Sequence, residues 1–297
     1  VERRAPDPII DLRLFLRNRT IGRATLTMFL LGATFLFTII FLPLYLVNVV
    51  GISVTSAGLS LTPLTLAMVG TSITAGRLAS RLHRVRGILV GSLVLLAASF
   101  AIMAFTLTAD STQAEVTWKM VLIGLGMGPT LPLYTLVVQN AARRNQLGVV
   151  TAGSIFARAV GQVLGLALFG TLFAATLTSA IASRTQSVLS ELPAASRTAL
   201  ATALPTVGGG GEGTAVRFDA DEILAGAARA GPDLSAADLG SVVTAVDQLE
   251  RAFAESLTRA ITTLYWIGTV LVLLALGMTL LIPRHQAGLI PRHQAGP

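Results

Sequence analysis

"ATLTMFLLGATFLFTIIFLPLYLVNVVGISVTSAGLSLTPLTLAMVGTSITAGRLASRLHRVRG", residues 24–87, decides the fold. From Ala24 to Gly76 it holds no Asp, Glu, Lys or Arg. A helix crosses the hydrocarbon core of a bilayer with about 20 apolar residues, so this interval accommodates two crossings. The connector between them is "NVVGISVTS" (48–56), where Gly51 and short polar residues supply a turn. Four arginines, Arg77, Arg81, Arg84 and Arg86, then follow at once, before the apolar run resumes at Ile88.

The remainder of the chain repeats this pattern. Of its 297 residues, 53% are hydrophobic and 12% charged, and the mean hydropathy is +0.73, well above that of a soluble globular domain. The fold class expected is therefore all-α integral membrane, with six transmembrane helices at about 24–47, 57–76, 88–107, 120–138, 155–181 and 260–283. A long polar segment, 184–259, separates the last span from the first five. With no cysteine, disulfides, thiolate metal sites and cysteine nucleophiles are excluded. The arginines do not gather on one soluble surface with interleaved aromatics, so nucleic acid is not an expected partner. The partner implied by composition is the lipid bilayer. The chain opens on Val1 with the charged "VERRAPD", which reads as a fragment and not as a cleavable leader.

Arginine placement sets an expected orientation. Six arginines precede Ala24, four lie in 77–86, Arg143 and Arg144 lie in 139–148, and Arg284 and Arg292 close the chain. With six spans all four segments fall on one side, the cytoplasmic one, which places both termini there. The opposite loops are uncharged at 48–56, acidic at 108–117, and mixed at 184–259, where ten carboxylates meet six arginines. The domain plan is then a cytoplasmic lead-in (1–23), five spans within 24–183, an extracytoplasmic loop (184–259), the last span (260–283) and a cytoplasmic tail (284–297). Inside the loop, "TVGGGGEGT" (206–214) is a flexible stretch, while Leu239, Val242, Val243, Val246, Leu249 and Phe253 recur at helical spacing. Ser235 and Asp238 resemble a capping box at the start of this amphipathic helix. In the tail, "LIPRHQAG" (281–288) recurs at 289–296, a tandem duplication too short for a structural array.

Three features inside the spans bear on function. "GLGMGP" (124–129, with Gly124, Gly126, Gly128 and Pro129) neither follows a strand nor sits in a soluble unit, so close helix packing explains it better than nucleotide binding. Pro129 and Pro132 free backbone groups and predict a bent helix lining a cavity. In the fifth span Gly153, Ala157, Gly161 and Gly165 recur every fourth residue, a small-residue face for a neighbouring helix. Arg158 interrupts an otherwise uncharged stretch. Two readings stay open for it: an interfacial arginine whose stem snorkels to the headgroups, or a functional charge that pairs with a carboxylate or gates an inner vestibule.

The order of residues in 76–87 resembles the loop motif of the major facilitator superfamily, in which glycine, an aspartate and basic residues recur in a fixed register. Gly76, Arg77, Arg81, Arg84 and Arg86 match it; Ser80 stands at the aspartate position and His83 at the second glycine. "DPIIDLRLFLRNRT" (7–20), "FLPLYLVNVVGISVTSAGLSLTP" (41–63), "LIGLGMGPTLP" (122–132) and "GVVTAGSIFARAVGQVLGLALFG" (148–170) are similar to segments of its fourteen-span drug:proton antiporter branch, C-terminal half. The resemblance implies alternating access between two halves, with this half supplying part of an apolar cavity for small hydrophobic or cationic substrates. Phe41, Tyr45, Met68, Met127, Tyr134 and Gln162 are the expected cavity residues, and 77–86 the cytoplasmic gating loop. The partner implied is the N-terminal half of the same transporter.

No Asp or Glu falls in any predicted span, and His83, His285 and His293 all lie in cytoplasmic segments. Intramembrane proton relays use such groups, so proton coupling, if the resemblance holds, is expected to run through the other half. No zinc-protease, nucleophile-elbow or clustered metal-ligand pattern occurs, which implies no cofactor, no metal and no enzymatic role. The competing expectation is a non-transporting membrane scaffold, or a remnant half, that dimerises through the Gly153–Gly165 face.

Overall fold

The computed structural model describes residues 15, 18–82, 84–193, 196–198, 200, 223–226, 229 and 236–283. Most of the lead-in, His83, the glycine-rich stretch 206–214, Ser235 of the expected helix start, and the duplicated octapeptide beyond Pro283 lie outside the described residues. Among the described residues all regular structure is helical: α1 (Arg19–Asn48), α2 (Val54–Leu59), α3 (Leu61–Leu82), α4 (Val85–Thr106), α5 (Gln113–Met127), α6 (Thr130–Ala141), a 3-10 turn (Arg144–Gln146), α7 (Leu147–Glu191) and α8 (Ala236–Leu280). They make six stretches long and apolar enough to cross a membrane, α2 joining α3 and α5 joining α6.

Local chemistry sets the helix ends. Asn18 caps α1, its side-chain oxygen accepting from the Thr20 and Ile21 amides, while its amide nitrogen donates to the Ala141 carbonyl at 3.0 Å. One residue thus starts α1 and fastens it to the end of α6. Gly51 takes φ +75° in the turn after α1, a conformation that costs glycine little. Thr112 and Glu115 form a reciprocal capping box at the start of α5. The fourth stretch divides at Gly128–Pro129, where Pro129 cannot donate to the helix ladder and the Thr130 hydroxyl donates to the Met127 carbonyl at 2.6 Å.

α1 is the hub: it packs most extensively on α7 and also on α8 and α6. α4 is held between α8 and α5, and α3 leans on α5. At the middle of the bundle Phe37 of α1 meets Phe169 of α7, Tyr265 of α8 and Phe100 of α4, with ring centroids 4.4, 5.3 and 5.8 Å away. This aromatic knot joins four helices that are remote in sequence. α3 and α7 are the least covered of the six, and both leave rows of apolar side chains bare.

The arginine-bearing ends lie together. Arg23 of α1 and Arg86 of α4 donate to the Leu281 and Leu280 carbonyls, the latter at 2.5 Å, and so satisfy acceptors that the end of α8 leaves without intrahelical partners. At the opposite end α7 and α8, each 45 residues and about 67 Å long, outrun the bilayer. Their overhanging turns enclose a second small core: Val188, Leu189 and Leu192 meet Val242, Ala245, Val246 and Leu249, with Leu200, Ile223 and Leu224 packed beside them. The amphipathic segment of α8 and its apolar span are one continuous helix.

Candidate functional site

A half-open cavity of about 170 Å³ lies at mid-bundle between α1, α3, α7 and the broken α5–α6 stretch. Met28, Leu31 and Phe35 of α1 form one side, Met68, Val69, Ser72 and Ile73 of α3 another, and Met127, Gly128, Thr130, Leu131 and Tyr134 the floor around the helix break. Arg158 of α7 completes the lining as its one charged residue.

Glycines bring the walls to this spacing. A Cβ at Gly128 would run into Thr71 and the Met68 carbonyl, and one at Gly124 into the Leu64 carbonyl, so both glycines let α5 lie directly on α3. At Gly126 the obstacle is the Leu96 backbone of α4, 2.7 Å away. "GLGMGP" is a packing element, with a glycine for each neighbour. On the other wall, a Cβ at Gly161 or Gly165 would collide with Phe29 or Ala33 of α1, and Gly153 faces the Phe15 ring. Ala157, on the same face, is half-buried. The Gly153–Gly165 face is thus filled within the same chain, by α1 at Gly161 and Gly165 and by Phe15, ahead of α1, at Gly153.

Arg158 is the least expected group in the lining. Its backbone packs on Gly32, and its guanidinium lies over the Phe35 ring, 5.4 Å from the centroid. Along α1, Phe35 is about 18 Å from Arg23 at 1.5 Å per residue, and the hydrocarbon core is about 30 Å thick. The side chain reaches toward the middle of the bundle and does not turn back to the arginine-rich end, as a snorkelling arginine would. A charge at such depth costs about 2.5–3.5 kcal/mol on insertion scales. A cation–π contact within about 6 Å offsets part of that. Among the described residues no ion pair or side-chain hydrogen bond engages the guanidinium; the two ion pairs found, Arg184–Glu255 and Arg251–Asp247, are exposed ones on the overhanging hairpin.

The cavity brings together Met68, Met127, Tyr134 and Arg158 of the residues expected from sequence. Tyr134 is wholly buried and its hydroxyl shares a 2.5 Å hydrogen bond with Thr279 of α8, so only its ring contributes to the lining. Phe41 and Tyr45 lie elsewhere, in the core: Phe41 stacks on Phe173 at 4.8 Å, and the Tyr45 hydroxyl donates to the Thr108 carbonyl at 2.5 Å. Gln162 is half-buried on α7 outside the lining. They share helices with cavity residues but not the facing side. Sequence reading missed Met28, Leu31 and Phe35, although their i, i+3, i+7 spacing on α1 is that of one helix face.

The stretch from Gly76 to Leu82 is not a loop but the last turns of α3, and Arg86 lies in the first turn of α4, which starts at Val85. The Ser80 hydroxyl donates to the Arg77 carbonyl at 2.8 Å. Arg77, Arg81 and Arg84 are exposed, whereas Arg86 is committed to the end of α8.

Six crossing-length helices around a cavity at mid-bundle define a multi-pass helical membrane protein. More narrowly, the chain belongs to the major facilitator superfamily, whose family model matches residues 2–166. It is similar to the Multidrug transporter protein MdtP of Bacillus subtilis (strain 168), with 33% identity over 65% of this chain and 35% of the relative. It is also similar to the Tetracenomycin C resistance and export protein of Streptomyces glaucescens, 35% identical over 58% of this chain and 32% of that protein. A Tetracycline resistance determinant of Streptomyces rimosus is 32% identical over 59% of this chain and 50% of its own length. The chain spans between about a third and a half of these relatives.

Proposed function

We propose that this chain is the C-terminal six-helix half of a drug exporter of the fourteen-span branch, moving small, largely apolar compounds across the plasma membrane by alternating access. The cavity carries the reading. At about 170 Å³ it is smaller than the roughly 300–1,000 Å³ that drug-sized ligands occupy, and it is open on one side, as one wall of a larger site would be. The helices on either side of the opening, α3 and α7, expose Leu66, Val69 and Ile73, and Ile155, Val163 and Leu164. Those rows suit a second helical half closing over the cavity.

The joined arginine-rich ends face the cytoplasm in this reading, which puts both termini of the segment there and the α7–α8 hairpin outside. Arg77, Arg81 and Arg84 line the inner mouth, while Arg86 holds the ends of α4 and α8 together. Coupling to protons is assigned to the N-terminal half, because the carboxylates Asp110, Glu115, Asp247, Glu250 and Glu255 sit toward the far end or on the hairpin. Against the scaffold alternative stands the filling of the Gly153–Gly165 face from within the chain, by Phe15, Phe29 and Ala33.

The test is efflux from dye-loaded cells that make the complete protein, compared with cells making residues 1–297 alone. The complete protein is expected to lower dye retention in a manner abolished by a protonophore, and the isolated chain to leave retention unchanged. Equal efflux by the isolated chain would overturn the half-transporter reading, and protonophore-insensitive efflux its proton coupling.

A further inference from the structure

Arg158 gives this wall of the cavity a formal positive charge with no counter-anion among the described residues. Guanidinium stays protonated under all ordinary conditions and presents five donors in a planar fork. One face of that fork is covered by Phe35, and the donors have no acceptor among the described residues. No hydrogen bond joins the guanidinium to the hydroxyls of the lining: the Thr130 hydroxyl donates to the Met127 carbonyl and the Tyr134 hydroxyl pairs with Thr279. Everything else at hand is methionine, aliphatic side chain or aromatic ring, together with Ser72. In so apolar a place an unpaired cation repels cations over a long range and attracts an anion strongly, since little water is present to screen either.

We infer that Arg158 makes this site selective for aromatic or amphipathic compounds that carry an acidic group, a carboxylate, sulfonate or ionised phenol, which the guanidinium binds through paired hydrogen bonds while the methionine-lined wall takes the apolar body. The inference rests on the transport reading above and narrows it: a lipophilic cation, one of the substrate types the sequence suggests, meets the wrong charge on this wall. Methionine suits the remainder of the role, because its unbranched, polarizable side chain adapts to apolar bodies of different shape. Arginine suits the acidic end better than lysine would, because its fork matches a carboxylate in a bidentate manner.

The experiment uses the complete transporter in inside-out membrane vesicles with two fluorescent probes, an anilinonaphthalene sulfonate and ethidium, and the variants Arg158→Gln and Arg158→Lys. Binding of the sulfonate to the purified complete protein is measured in parallel by equilibrium dialysis. The expected result is at least a tenfold loss of sulfonate uptake in Arg158→Gln, a smaller loss in Arg158→Lys, and ethidium uptake unchanged or increased. Sulfonate binding should fall in the same order. Equal loss of both probes in Arg158→Gln would overturn the inference by making the arginine an internal ion-pair partner, and so would uptake of ethidium alone by the wild type. Binding of the sulfonate that depends on Arg158, without uptake of either probe, would uphold the selectivity and overturn the transport reading instead.

Discussion

Lys119, the chain's one lysine, is 4% exposed, and its ammonium donates to the Thr106 carbonyl at 3.0 Å. That carbonyl belongs to the last turn of α4, where acceptors have lost their intrahelical donors and the helix dipole favours a positive charge. Lys119→Met keeps the bulk, removes the cap and is expected to cost about 1–2 kcal/mol, read as a lower midpoint of thermal unfolding in detergent. Two of the three buried tyrosines make a sharper pair. Tyr134 bonds Thr279 across α6 and α8, whereas the Tyr265 hydroxyl, equally buried, lies beside Thr38, whose hydroxyl donates to the Thr34 carbonyl, and makes no hydrogen bond of acceptable geometry among the described residues. Tyr134→Phe should therefore destabilise by about 0.6 kcal/mol, the mean for hydrogen bonds between membrane helices. Tyr265→Phe should leave stability unchanged or raise it, since it removes a polar group that is buried without a bond. None of this was legible in the sequence: Lys119 borders a span and reads as an outer-loop charge, and which tyrosine finds a threonine depends on helices more than 100 residues apart in the chain.

Among the elements, α7 shows what periodicity tells and what it leaves out. The four-residue recurrence from Gly153 to Gly165 identifies a small-residue face, but it is equally compatible with a partner in another chain. Only the three-dimensional packing assigns it to α1, with Gly161 against Phe29 and Gly165 against Ala33. Gly161→Leu would force a branched side chain into the α1 backbone and is expected to cost about 1–3 kcal/mol, as overpacking does. Gly170→Leu, on the same helix where a Cβ meets open space, should be tolerated. Comparing the yield of monodisperse protein from the two variants checks the assignment. The ends of α7 and α8 carry a related lesson. The sequence places a span boundary near Ile181 because Arg184 follows, yet the helix runs on to Glu191. Charge ends the apolar stretch but does not end a helix; no glycine or proline interrupts 171–191 or 241–267, so nothing breaks either one. The bend at Gly128–Pro129 was legible for the converse reason, because proline acts locally.

At the scale of the whole molecule, charge and hydropathy were enough for six spans and one arginine-rich end, because both depend on the solvent and not on which helix packs where. The cavity was half legible: Met68, Met127, Tyr134 and Arg158 reach it, but the choice between them and Phe41 or Tyr45 depends on helix rotation, which periodicity within an all-apolar span leaves undetermined. The proposed orientation rests on the same arginines and can be measured directly. The chain has no cysteine, so a thiol introduced within it reports its own side of the membrane. Ser80, exposed in the last turns of α3, and Ser190, exposed near the far end of α7, sit at opposite ends of the molecule. If arginine density fixes the topology, Ser190→Cys in the complete protein should react with a membrane-impermeant maleimide in intact cells, and Ser80→Cys only after permeabilisation. The reverse pattern would place the arginine-rich end outside, and with it the inner mouth assigned to Arg77, Arg81 and Arg84; the cavity, at mid-bundle, would then face export from the opposite direction.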